Sequence, residues 1–162
     1  LLEDGLKELT FVKRKKNSNC SEYIPKNPNK YIGRYPIVIR SSWERMFCQW
    51  LDANTNIVSW LSEGHAIPYF DPIQMKRRRY YPDFWMKVKT PQGYQEYLVE
   101  VKPRKETMPP IIKGRKSKKT QLHQEATWVT NQAKFEAAEK YCQKMGYIWK
   151  IITEEQLFGR KK

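Results

Sequence analysis

The chain is short of the residues that most protein chemistries rely on. It has three cysteines, Cys20, Cys48 and Cys142, far apart and odd in number. That excludes a disulfide framework, and with no C-x-x-C pair and only two histidines, His65 and His123, it leaves a structural zinc site without ligands at suitable spacing. A reducing place of synthesis is the default expectation. No apolar run approaches roughly 18 residues, so a membrane span is excluded. The opening stretch is acidic and then basic with no apolar core, so no secretory leader is expected. Neither histidine has a recognisable partner for nucleophilic Ser or Cys catalysis. No Gly-rich phosphate loop is present, so a nucleotide cofactor is not expected.

Acidic residues are also scarce. Against 17 Asp+Glu stand 31 Lys+Arg, a net charge of +14 on 162 residues. Such an excess attracts phosphate polymers, and nucleic acid is the expected partner, a structural protein that only sits beside nucleic acid being the plain alternative. The 22 aromatics among 40% hydrophobic residues suffice for one core, not two.

Residues 1–40 read as a basic N-terminal arm. Lys13-Arg14-Lys15-Lys16 is a charge run, Asn27-Pro28-Asn29-Lys30 is turn chemistry, and Tyr23, Tyr31 and Tyr35 suggest that the second half packs on the domain. The domain itself is expected over 41–162. Ser41 or Ser42 caps a helix whose apolar face is Trp43, Met46, Phe47, Trp50 and Leu51, ending near Asn54. Strands are expected at 56–61 and 66–70, the second an edge because of Pro68. Lys76-Arg77-Arg78-Arg79 reads as a basic turn. Strands at 80–88 and 94–102 flank the turn Thr90-Pro91-Gln92-Gly93 and form a hairpin. Residues 102–119 carry eight Lys/Arg and one Glu, broken by prolines, and read as a long mobile basic loop over 103–119. A helix follows over 125–145, stopped by Gly146, then a strand at 147–152 and a short capped helix opened by Thr153-x-x-Gln156.

Three carboxylates and one lysine carry the chemistry. Asp83 follows Pro82 at the start of a strand, and Glu100 and Lys102 share one face of the next. Glu44 lies one turn into the first helix. Carboxylates gathered at a strand end suit Mg²⁺, with Mn²⁺ as a substitute, and such an ion bridges to phosphate and activates water. Each residue also has a plain structural reading. Ser41-x-x-Glu44 has the form of a capping box, Asp83 of a turn residue, and Glu100 with Lys102 of a solvated ion pair. The basic runs can be solvated charge alone. The conjunction favours phosphodiester hydrolysis.

Pro82-Asp83 with Glu100-Val101-Lys102, in an αβββαβ element order with a helical Glu44, resembles the PD-(D/E)XK (restriction-endonuclease-like) superfamily, an α/β fold with a small mixed sheet flanked by helices. Asn27-Pro28-Asn29-Lys30-Tyr31-Ile32-Gly33, Ile39-Arg40-Ser41-Ser42-Trp43-Glu44-Arg45 and Tyr80-Tyr81-Pro82-Asp83-Phe84 resemble the head completion proteins of T-even-type tailed phages. Transposon-end-cutting endonucleases are similar around Glu44, Asp83 and Lys102. The resemblance implies a Mg²⁺-dependent DNA endonuclease that processes or guards the packaged DNA end at the portal or neck before tail attachment. Its place would be the host cytoplasm during assembly and then the virion, with portal, neck or capsid proteins as partners and no membrane. Catalysis would fall to Glu44, Asp83, Glu100 and Lys102. The metal would fall to Asp83, Glu100 and the Val101 carbonyl, with Glu44 as a further ligand. DNA contacts are expected from Arg40, Arg45, Lys76, Arg77, Arg78, Arg79, Lys113, Arg115, Lys116, Lys118, Lys119 and Lys134, with Asn131 an auxiliary. The competing expectations are a structural neck protein that keeps the fold without catalysis, a transposon-end-type endonuclease and a non-specific DNA-binding module.

Overall fold

The computed structural model describes residues 20–111 and 117–159. In chain order they form β1 (Ser21–Tyr23), β2 (Ile37–Ile39), α1 (Ser42–Ala53), β3 (Ile57–Ser62), β4 (Ile67–Asp71), β5 (Lys76–Tyr80), β6 (Phe84–Thr90), β7 (Gly93–Val101), α2 (Lys118–Met145), β8 (Ile148–Ile152) and α3 (Glu154–Phe158). The central sheet runs β3-β6-β7-β8, antiparallel except for the parallel β7/β8 pair. Reading α1, β3, β6, β7, α2, β8 gives the expected αβββαβ order. The hairpin β4–β5 is inserted between the first and second sheet strands as a separate two-stranded sheet.

Each core element starts where local chemistry dictates. The Ser41 side chain accepts the Glu44 N–H and so caps α1. The β6–β7 turn closes on the pair Thr90↔Gly93, where Gly93 takes φ 127°, a conformation that a side chain disfavours. Gly146, at φ 74°, ends α2. The box at Thr153 and Gln156 opens α3 as expected.

Strand alternation divides the core in two. Phe84, Met86 and Val99 point to the α1 side, with Phe47, Leu51, Trp60, Ile37 and Ile39. Trp85 and Leu98 point to the α2 side, with Ala138, Cys142, Ile67, Tyr69 and Tyr80. A sheet covered on both faces holds its central strands rigid, and the strand ends inherit that rigidity.

Three expectations need correction. The domain does not begin at residue 41. Ile37 and Ile39 are each only 1% exposed in the core, and Tyr23 and Tyr31 set their rings edge-on to Trp60 at 6.2 and 4.7 Å. Buried Asp52 accepts the Lys26 and Asn27 N–H groups at 2.6 and 2.9 Å, tying this segment to the end of α1. Only residues 1–19 of the expected arm lie outside the described residues. Second, Lys76–Arg79 is strand β5, not a turn; the reversal lies just before it. Third, α2 begins at Lys118 rather than 125, capped by the Ser117 side chain, so Lys118 and Lys119 are helical. Lys113, Arg115 and Lys116 of the basic loop lie outside the described residues, and Arg104–Glu106 form a 3₁₀ turn.

Candidate active site

Asp83 sits one step before β6, after buried Pro82. Its carbonyl accepts the Glu63 N–H at 3.0 Å, which anchors it to the end of β3. On the other side, Phe84 pairs with Val99, so Asp83 lies across from Glu100. Both side chains fall on the α2 face, the face of the Trp85↔Leu98 pair. The Asp83 carboxylate accepts the Val101 N–H at 2.8 Å and extends the strand ladder with a side chain. A strand residue turns its N–H and C=O to the same side, so the Val101 carbonyl also looks toward Asp83.

Glu100 is buried, with both oxygens engaged. Oε1 accepts from Lys102 Nζ at 2.9 Å and Oε2 from the Tyr80 hydroxyl at 2.6 Å. Lys102 donates its backbone N–H to Ile152 O at 2.9 Å, so β8 holds it in line with β7. Its ammonium lies 5.6 Å from the centre of the Phe135 ring on α2. Lys134 of α2 lies 5.7 Å from the Tyr80 ring and 6.0 Å from the Tyr69 ring. Burial first and the Lys102 charge second pull the Lys134 ammonium below the ordinary lysine range. Burial, then repulsion from Glu100, push the Asp83 carboxyl well above the ordinary range, and Glu44 adds to the push.

The structure therefore unites Asp83, Glu100, Val101, Lys102 and Lys134. Glu44 reaches this group through its field, but both its oxygens are occupied by the helix cap. Oε1 accepts from Ser41 Oγ at 2.9 Å and Oε2 from the Arg40 N–H at 3.0 Å. Asn131 is buried one turn before Phe135 on α2. Arg40 is paired with Glu63, at the same strand ends. Arg45 points elsewhere, donating to Ser21 Oγ at 2.6 Å and Glu22 O at 3.1 Å, so it joins α1 to β1. Arg78 pairs with Asp71 at 3.3 Å on the inner side of the hairpin. Lys118 and Lys119 are exposed at the far start of α2, roughly 22 Å along the helix from Lys134 at 1.5 Å per residue. His65 lies away from this group, with Nδ1 3.1 Å from the Tyr141 hydroxyl.

Tyr80 is the site residue that sequence reasoning missed. The signal was the alternation Lys76, Arg78, Tyr80, which puts an aromatic at the inward end of a strand two residues before Pro82. Reading the charge run as a turn concealed it.

The donors fit a hard divalent cation. Asp83 and Glu100 supply carboxylate oxygens, Val101 a carbonyl, and the mutual repulsion of the two acids is what a dication would relieve. Among the described residues no three His, Cys, Asp or Glu side chains converge as a ready-made metal cage. Two protein carboxylates with water and phosphate completing the shell is the pattern of Mg²⁺ rather than of a closed structural site.

The element order and the four-stranded mixed sheet have the form of a PD-(D/E)XK-like core. Residues 54–154 match the model of the TnsA-like endonuclease N-terminal domain, and the chain belongs to that family. The Head completion nuclease of Enterobacteria phage T4 is 40% identical over 140 residues, covering 84% of this chain and 91% of that protein. No solved structure matches.

Proposed function

We propose that this chain is a DNA endonuclease of phage head completion, hydrolysing phosphodiester bonds in duplex DNA with Mg²⁺ and accepting Mn²⁺ in its place. The observation that carries the reading is the union of Asp83, Glu100 and Lys102 on one face at one end of two central strands. The family match and the name of the T4 relative support the reaction class and the assembly step. In this reading it handles the packaged DNA end at the portal or neck before tail attachment, in the host cytoplasm and then in the virion. No helix among the described residues is long and apolar enough to cross a membrane.

Asp83 and Glu100, with the Val101 carbonyl, would hold the ion. When bound, Mg²⁺ supplies positive charge to the phosphate oxygens and lowers the pKa of water. The protein supplies the rest. Tyr80 fixes one oxygen of Glu100 and so orients the carboxylate. Lys102 spans from Glu100 toward the substrate side, where an ammonium orients the attacking water and offsets the negative charge growing on the phosphorus oxygens. Lys134 adds a second positive charge in a half-buried position, where it interacts more strongly than in bulk water. Arg77 and Arg79 on the outer face of β5 hold phosphates without reading sequence.

A docking role without catalysis has one observation in its favour: Glu44 uses both oxygens in a helix cap rather than in the site. Cleavage of plasmid and linear duplex with Mg²⁺, with EDTA and with Lys102→Ala separates the readings. Metal-dependent cutting lost in a folded Lys102→Ala is the expected result. A folded wild type that never cuts with Mg²⁺ or Mn²⁺ defeats the nuclease reading and leaves the docking role.

A further inference from the structure

The hairpin β4–β5 is an addition to the nuclease core, and its two ends differ in chemistry. Its base is locked into the site: Ile67, Tyr69 and Tyr80 are buried on the α2 side, and the Tyr80 hydroxyl holds Glu100. Its far end is rigid for another reason. Asp71, 2% exposed, accepts the Ile73 and Gln74 N–H groups at 3.0 and 3.1 Å and pairs with Arg78 across the strands. Met75 completes the reversal at φ 50°. This Asx turn holds the tip in one shape.

What that shape presents is unusual for a solvated turn. Ile73 is 51% exposed and Met75 72%, and Phe70 stands half exposed on the outer face opposite Arg77. Immediately behind them come four exposed basic residues, Lys76 to Arg79, of which Arg77 and Arg79 make no ion pair among the described residues. A partner for this surface needs closely spaced negative charge and an apolar slot at its centre. Duplex DNA has both, in its phosphates and in the gap between stacked base pairs. Apolar side chains wedge between base steps from the minor groove in proteins that kink DNA.

We propose that the β4–β5 hairpin is a DNA wedge: the arginines of β5 hold the phosphates while Ile73 and Met75 enter and open a base step. This rests on the nuclease reading. Met75 is five residues from Tyr80, so the tip stands about 17 Å along the strand from the side chain that holds Glu100. The wedge bends the duplex so that the scissile phosphate reaches carboxylates recessed beneath α2.

The test uses the full chain and short duplexes carrying 2-aminopurine at successive positions from one end, in EDTA so that nothing is cut. Wild type brightens the probe at a subset of positions. Ile73→Ser/Met75→Ser, both exposed and so compatible with folding, binds with the same salt dependence but without brightening. Arg77→Ser/Arg79→Ser does the reverse to binding, weakening it and lowering the salt slope by about two. With Mg²⁺, the Ser double variant cuts intact duplex about tenfold more slowly and recovers on a duplex with a mismatched, already loosened step. No brightening with wild type, or equal brightening and equal cutting in the double variant, overturns the wedge. Brightening without any cutting supports the wedge and counts against the nuclease reading alone.

Discussion

The two faces of the central sheet do different work. The α1 face is apolar at its centre: Trp60, Leu51, Phe84, Ile37, Ile39 and Val99 are all 1% exposed or less. The α2 face begins in the same way with Leu98 and Ala138, then turns polar toward the strand ends, where Glu100, Asn131, Lys102 and Lys134 gather. Strand β7 shows the division in adjacent residues, with Val99 serving the core and Glu100 the site. A buried acid is costly unless it is paired. The apolar face provides the stability that lets the other face keep two repelling carboxylates at a fixed distance. Stability and chemistry are thus separated by a single residue of alternation, and substitutions on the two faces should fail in different ways.

The largest effect is expected from the stabilising face. Ile37→Ala empties a buried position on β2 and should cost about 2–5 kcal/mol in denaturant melts, while the folded fraction cuts normally. A negligible loss would return residues 20–40 to the status of an arm. Next comes Lys102→Ala, which should lower the cleavage rate roughly 10²–10³-fold and also lower the melting temperature, because it leaves buried Glu100 without its cation. Tyr80→Phe leaves Glu100 Oε2 without its donor and should slow cutting about tenfold. It should also raise the Mg²⁺ concentration for half-maximal rate, a shift that a merely structural tyrosine would not produce. Asp83→Asn should abolish cutting yet raise the melting temperature of the metal-free protein, about 2–4 °C for each kcal/mol gained, because it removes the charge that burial and Glu100 oppose.

The smallest effect concerns His65, which packs against Trp85 and Tyr147 at the margin of the α2 face. Burial lowers its pKa below the ordinary 6.5. The unfolded chain therefore takes up the proton first as pH falls. The stability His65 contributes is full above about 6.5 and is lost as pH drops through the folded value. His65→Phe should flatten the pH dependence of melting below 6.5, and an unchanged slope would assign it to other groups.

Much of this was legible residue by residue. The Ser41 cap and the period of Phe47 and Leu51 specify α1, the alternation from Tyr97 to Lys102 specifies β7, and the Pro-Gln-Gly turn joins it to β6. These are local signals, set by backbone sterics and side-chain period. Strand β5 left no such signal, because all four of its basic residues are exposed and only pairing with β4 makes it a strand. The start of α2 was hidden because its first two turns carry no apolar stripe, although Ser117-x-x-Thr120 marked the cap. Strands β1 and β2 are three residues each, too short for a period to register.

The sequence by itself determined the charge, the element order of the core, and which of Asp83, Glu100 and Lys102 share a face. Tertiary structure alone decided the partners: Tyr80 on Glu100, Lys134 beside Lys102, and Arg45 turned to β1. Alternation and capping act over a few residues and are written along the chain. Cross-strand register and helix-on-sheet packing bring together residues 20 or more positions apart, as with Tyr80 and Glu100, and no local pattern records which side chain will meet which.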